Sequence, residues 1–201
     1  MDSEPAVGIL GGSFNPPHLG HHVIASDACA QLDLERVLFV PAAAPPHKEV
    51  ADGVPGDVRL ELTRLAVAGD PRFAVSSIEV DRGLAYTVET LRCLRAEFPG
   101  RSLAFIMGSD SLLQFGSWYR PEAIVELARL VVAPRPGHDR AAIAAAAARW
   151  TPDKVVVIDS VGVDISSSMI RDRVRRGAPV RYLVPAAVEA AIERFSLYRE
   201  P

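Results

Sequence analysis

His18 and His21 stand three residues apart in the run Ile9-Leu10-Gly11-Gly12-Ser13-Phe14-Asn15-Pro16-Pro17-His18-Leu19-Gly20-His21-His22. In a helical turn that spacing puts both imidazoles on one face, where two ring nitrogens can meet one ligand. Gly20 between them leaves room for a flat group above the turn. The apolar stretch 6–10 runs into Gly11-Gly12 and a helical pattern starts near Leu19, so the segment reads strand, tight loop, helix. The glycine pair lets an anion approach the backbone, and the helix start offers unpaired N–H groups with partial positive charge. The same letters also spell an ordinary turn, and one imidazole could lie on the surface, so spacing alone leaves the two readings level. Neither G-x-G-x-x-G nor G-x-x-x-x-G-K-[ST] is present. His22 points elsewhere on a helix and is assigned no chemistry.

A second group sits far along the chain. Asp164-Ile165-Ser166-Ser167-Ser168-Met169-Ile170-Arg171 puts three hydroxyls before a helix expected to run to about Arg176. One serine suffices for a cap; three, with Arg171 one turn on, favour a polyphosphate cradle. Lys48 ends the proline-stiffened segment 41–48 and is either held over a phosphate or an ordinary surface lysine. Asp110 follows an apolar strand, where it either caps the next helix or orients a ribose, a histidine or a Mg²⁺ shell. Trp118 and Tyr119 beside Gly116 are either core or a surface for stacking on a flat ring. Thr87 reads as a helix cap, and Arg59 and Arg64 as solvated helix residues.

The elements that must position these groups follow from periodicity. Strands are expected over residues 6–10, 36–40, 73–80, 101–107, 130–133 and 154–157, the last of a buried type. Helical patterns cover 21–32, 58–68, the stretch through Leu91 and Leu94, the segment after Ser109, and then 123–128, 141–148, 166–176 and 186–195. Strand, helix, strand at the start predicts a parallel sheet, whose ligands lie at the carboxyl ends of its strands.

The run GGSFNPPHLGHH resembles the signature of H-x-G-H nucleotidyltransferases, and the chain resembles the bacterial nicotinate-nucleotide adenylyltransferases, the NadD family, from Val7 to Tyr198. PAAAPPHK, the Y-T-x-x-T-L pattern at Tyr86 to Leu91, Gly108-Ser109-Asp110, Trp118-Tyr119, Arg135-Pro136-Gly137, ISSSMIR and YLVP carry the likeness. Leu84 and Ala85 depart from the family's Pro-Ser, which removes a hydroxyl there. The resemblance implies an α/β fold, a Rossmann-like parallel sheet with helices on both faces, of nucleotidyltransferase type. It implies AMP transfer from ATP to nicotinate mononucleotide, with Mg²⁺ accompanying ATP and no metal site built by the protein.

Carried over residue by residue, the ATP site would take Gly11, Gly12, Ser13, Phe14, His18 and His21 from the first anchor. Gly108, Asp110 and Arg135 would join it from the middle of the chain, and Ile165, Ser167, Ser168 and Arg171 from the second. The mononucleotide would meet Asn15, Lys48, Ala85, Tyr86, Thr87, Trp118 and Tyr119. His18, His21, Lys48 and Arg171 would be catalytic. Nicotinamide mononucleotide or phosphopantetheine as acceptor is the alternative within the superfamily. A metal-dependent phosphohydrolase built on the histidine pair and Asp110 is the alternative outside it.

Size and composition bound these readings. A chain of 201 residues, 49% hydrophobic, fits a single domain over 1–201, with about 165–198 completing the ATP site. A net charge of −3 without a Lys/Arg block argues against nucleic acid. The absence of a leader or a long apolar run argues against a membrane, so a cytoplasmic protein is expected. Cys29 and Cys93 lack metal or redox spacing and read as small hydrophobes. A homo-oligomer is compatible with all of this.

Overall fold

The computed structural model describes residues 6–43 and 53–199. Six parallel strands form one sheet: β1 (Ala6–Gly12), β2 (Leu34–Pro41), β3 (Phe73–Val75), β4 (Ser102–Gly108), β5 (Arg129–Ala133) and β6 (Val155–Val157). Their spatial order is β3-β2-β1-β4-β5-β6. The chain builds outward from β1 in one direction, then returns to lay β4 on its other side. That reversal opens a crevice at the carboxyl ends of β1 and β4, where such sheets bind ligands.

Helices cover both faces, which is why the central strands read as unbroken apolar runs. Side chains alternate between layers with the strand period of two. Leu10, Val37, Phe39, Ile106 and Val131 face a layer made by α1 (Leu19–Leu32), α2 (Gly56–Val67), α8 (Ser167–Arg175) and α9 (Ala186–Arg194). Val7, Ile9, Leu38, Phe105 and Leu130 face the other layer. It is made by α3 (Ile78–Arg82), α4 (Thr87–Glu97), α5 (Ser109–Gln114), α6 (Pro121–Leu127) and α7 (Arg140–Ala147). Among the described residues no helix is long and apolar enough to cross a membrane.

Three local expectations are corrected. The strand expected over 73–80 stops at Val75, because β3 lies at the sheet edge and pairs with β2 through three residues only. The chain then turns into α3, where Ser77 Oγ donates to the Asp81 carboxylate at 2.6 Å and Ile78 is buried. The strand expected as buried over 154–157 is the opposite edge, β6, with Val157 44% exposed. Thr87 does not cap α4; it is the first helical residue, Tyr86 holds the cap position, and no side chain bonds there.

Candidate active site

Gly11 and Gly12 close β1, and the chain then makes a loop whose carbonyls are pinned one after another. The Gly12 carbonyl accepts from Ala42 N–H at 2.8 Å, and the Ser13 carbonyl from Arg59 Nη1 at 2.8 Å. The Asn15 carbonyl accepts from Arg171 Nη1, and the Pro16 carbonyl from Ser167 Oγ, both at 2.9 Å. The two anchors, some 150 residues apart in sequence, therefore lie side by side. Phe14 adopts φ 46° and buries its ring against Phe39 and His21. Asn15 is buried too, its Oδ1 accepting from the Tyr198 hydroxyl at 2.7 Å.

His18 precedes the first turn of α1 and His21 lies within it, their rings stacked with centroids 3.7 Å apart and planes 28° apart. The His18 backbone N–H donates to His21 Nδ1 at 3.1 Å, so a neutral His21 carries its proton on Nε2. Burial, then Arg135 and His22, push the His18 imidazole down to about 4. Burial, with His18, His22 and Arg135 adding to it, holds His21 well below the usual histidine range. Two neutral imidazoles, able to donate hydrogen bonds without carrying charge, therefore face the crevice at pH 7. Gly20 permits this arrangement, since a Cβ there would stand 3.0 Å from His18 Nδ1. His22 turns away, its ring nitrogens 3.1 Å from the His18 carbonyl and 2.9 Å from that of Ala66 on α2.

His18, Gly20 and His21 share a cleft with Pro134, Arg135 and Ile165. Arg135 Nε stands 3.6 Å from Asp110 Oδ1, both side chains being 45% exposed, an ion pair of little energetic weight. Asp110 does not cap α5, whose cap position is Gly108. A Cβ on Gly108 would come within 2.5 Å of Asp110 Oδ1, so the glycine is what lets this carboxylate fold back over the strand end. The three serines divide the work: Ser166 caps α8 by accepting from Met169 N–H at 3.2 Å, Ser168 Oγ lies 3.0 Å from Ser166 Oγ, and Ser167 makes the latch to Pro16.

A cavity of about 250 Å³ is lined by Ala85, Tyr86, Thr87, Trp118, Tyr119 and Ile124. Trp118 is half-buried and packs edge-on against Phe105 and Phe115, so much of its ring belongs to the core. The more exposed aromatic wall is Tyr86 with Tyr119, their centroids 4.4 Å apart. Lys48 lies outside the described residues.

The family of this chain can be decided by comparison. A cytidylyltransferase-like family model matches residues 9–173. A protein of Thermus thermophilus named "Probable nicotinate-nucleotide adenylyltransferase" is 47% identical over 194 residues, spanning 96% of this chain and 99% of its own. The chain belongs to the nicotinate-nucleotide adenylyltransferases. A relative of the same name from Geobacter sulfurreducens is 44% identical over 209 residues, covering 95% of this chain and 97% of that one. The fold is shared with the solved Plasmodium falciparum nicotinic acid mononucleotide adenylyltransferase complexed with NaAD, at a TM-score of 0.80 and 17% identity, covering 96% and 97% of the two chains.

Three residues of this family member escaped the sequence reading. Arg59, expected in solvent, is 1% exposed. It was legible in principle, because Arg59, Leu62, Thr63 and Ala66 form one buried stripe at helical spacing. Ser109 is fully buried; its Oγ accepts from Arg135 N–H at 3.0 Å and lies 2.7 Å from His138 Nδ1, fixing the backbone of the cleft arginine. Tyr198 reaches Asn15 across 183 positions, for which no local sequence signal exists.

Proposed function

We propose that this chain joins the AMP part of ATP to the 5′-phosphate of nicotinate mononucleotide at the crevice between β1 and β4. An oxygen of the mononucleotide phosphate forms a bond to the α-phosphorus while the α–β bridging P–O bond breaks and pyrophosphate leaves. The attacking phosphate is already ionised at pH 7, so the residues need only position it and neutralise charge. The observation that carries the reading is the stacked pair His18–His21 set beside the Ser167 and Arg171 latches.

In this reading Gly11, Gly12, Ser13 and Phe14 approach the phosphates, and His18 and His21 donate N–H groups to the α-phosphate as its charge grows. Ser167, Ser168 and Arg171 receive the β- and γ-phosphates. Arg135, Asp110, Gly108 and Ile165 line the adenosine end. The cavity bounded by Ala85, Tyr86, Thr87, Trp118 and Tyr119 takes the pyridine ring, its size and flat aromatic wall suiting that group. Asn15 shapes the loop between the two substrates, and Lys48 adds positive charge from the segment that follows β2. The C-terminal part, about 165–198, completes the ATP site of a single domain.

Among the described residues no three His, Cys, Asp or Glu side chains converge on a metal. Asp110, half-exposed at the cleft, suits a Mg²⁺ that arrives on the triphosphate and keeps water and phosphate ligands. Bound there, Mg²⁺ would supply charge neutralisation to the leaving pyrophosphate. The free thiols Cys29 and Cys93 fit a cytoplasmic setting.

The test is a substrate panel: ATP and Mg²⁺ with nicotinate mononucleotide, nicotinamide mononucleotide or phosphopantetheine, following pyrophosphate release. Release with nicotinate mononucleotide at the highest kcat/KM is expected. Release that ignores the acceptor would refute the assignment.

A further inference from the structure

Arg59 is a charged side chain closed inside the protein that the reaction as derived leaves unused. It is 1% exposed and sits in the first turn of α2 behind the glycine-rich loop. Its Nη1 donates to the Ser13 carbonyl at 2.8 Å and its Nε to the Val54 carbonyl at 3.3 Å, while Nη2 is buried with no hydrogen-bond partner among the described residues. Burial is the largest influence on it and lowers its pKa from the usual arginine value, with Tyr198 and Glu79 opposing that shift. Keeping a guanidinium out of water is expensive, so a leucine would fill α2's buried stripe at lower cost if packing were all that mattered.

What the arginine does for the loop follows from peptide geometry. The carbonyl and N–H of one planar trans peptide point in opposite directions. Drawing the Ser13 carbonyl inward therefore turns the N–H of Phe14 outward, and that N–H has no partner among the described residues. Pro16 and Pro17 bring no N–H, and the His18 N–H is taken by His21. The Phe14 N–H is thus a donor of this loop left to meet an anion, and its aim is set from behind.

We propose that Arg59 is a positioning residue for adenylyl transfer: from the core it pins the Ser13 carbonyl and so presents the Phe14 N–H to a substrate phosphate. This rests on the function proposed above and adds a residue that touches neither substrate. Lysine at 59 keeps the charge but reaches at most one of the two carbonyls; methionine keeps much of the volume and neither donor.

The experiment measures Arg59→Lys, Arg59→Met and an enzyme carrying phenyllactate in place of Phe14, which keeps the ring and replaces the N–H by an ester oxygen. Kinetics with ATP and nicotinate mononucleotide are normalised to folded protein by melting curves and by titration with a non-hydrolysable ATP analogue. The methionine variant is expected to lose about tenfold or more in kcat with a smaller rise in the KM for ATP, and the lysine variant to recover part of that loss. The phenyllactate enzyme should lose a similar factor, and combining it with Arg59→Lys should cost less than the product of the two losses. Wild-type kcat per folded molecule in the methionine variant or the phenyllactate enzyme would overturn the proposal. If the methionine variant does not fold, the lysine and phenyllactate enzymes decide. A wild-type protein that releases no pyrophosphate with nicotinate mononucleotide would instead refute the proposed function.

Discussion

At the scale of single residues, the histidine pair matters through its lack of charge. Stacked at 3.7 Å, both rings cannot hold a proton cheaply, and burial already disfavours it in each. Neutral, they can still donate N–H groups to a phosphate placed beside them. His18→Ala and His21→Ala should each lower kcat by about 10²-fold or more while changing the KM for nicotinate mononucleotide far less, as steady-state kinetics would record. Gly20→Ala makes a sharper test of the stack. Its new methyl would sit 3.0 Å from His18 Nδ1, so kcat should drop although no donor is removed; an unchanged kcat would mean the ring can move aside at no cost.

Among the elements, α8 is attached in an unusual way. Ile170 is its one fully buried side chain, worth roughly 1.5–3 kcal/mol, Val174 packs partly buried on the same cluster, and the Ser167 and Arg171 bonds add a polar tie to the loop after β1. Ser167→Ala should cost about 1 kcal/mol in urea unfolding and raise the KM for ATP. The sequence made α8 and its serines legible through helical period and cap chemistry, and the same signals revealed most of β1, β4 and β5. It did not reveal which serine does what, because Ser166, Ser167 and Ser168 are chemically alike and only the fold brings Pro16 under the middle one. It failed at β3 and β6 for a related reason. An edge strand has one neighbour, and alternation cannot tell where pairing stops. Arg59 has helical spacing with the buried stripe of α2, but a charge reads as solvent-facing in the sequence because the Ser13 carbonyl that accepts from it lies 46 positions away.

For the molecule as a whole, the neutral histidines tie stability to acidity. A folded-state value of about 4 for His18, against an ordinary 6.5, means that the unfolded chain binds more protons between those two values. The contribution is therefore fully present above about pH 6.5 and lost as pH falls towards 4, on the order of 3 kcal/mol for this residue. Calorimetric melting from pH 7.5 down to 4.5 should fall less steeply in His18→Gln than in the natural protein, and parallel slopes would remove His18 as the cause. Two further links close the molecule on itself, the Tyr198 hydroxyl on Asn15 and Arg171 on the carbonyl of the same residue. Both run from the last part of the described chain to the loop ahead of the histidines, so whatever loosens that part loosens the histidine loop as well.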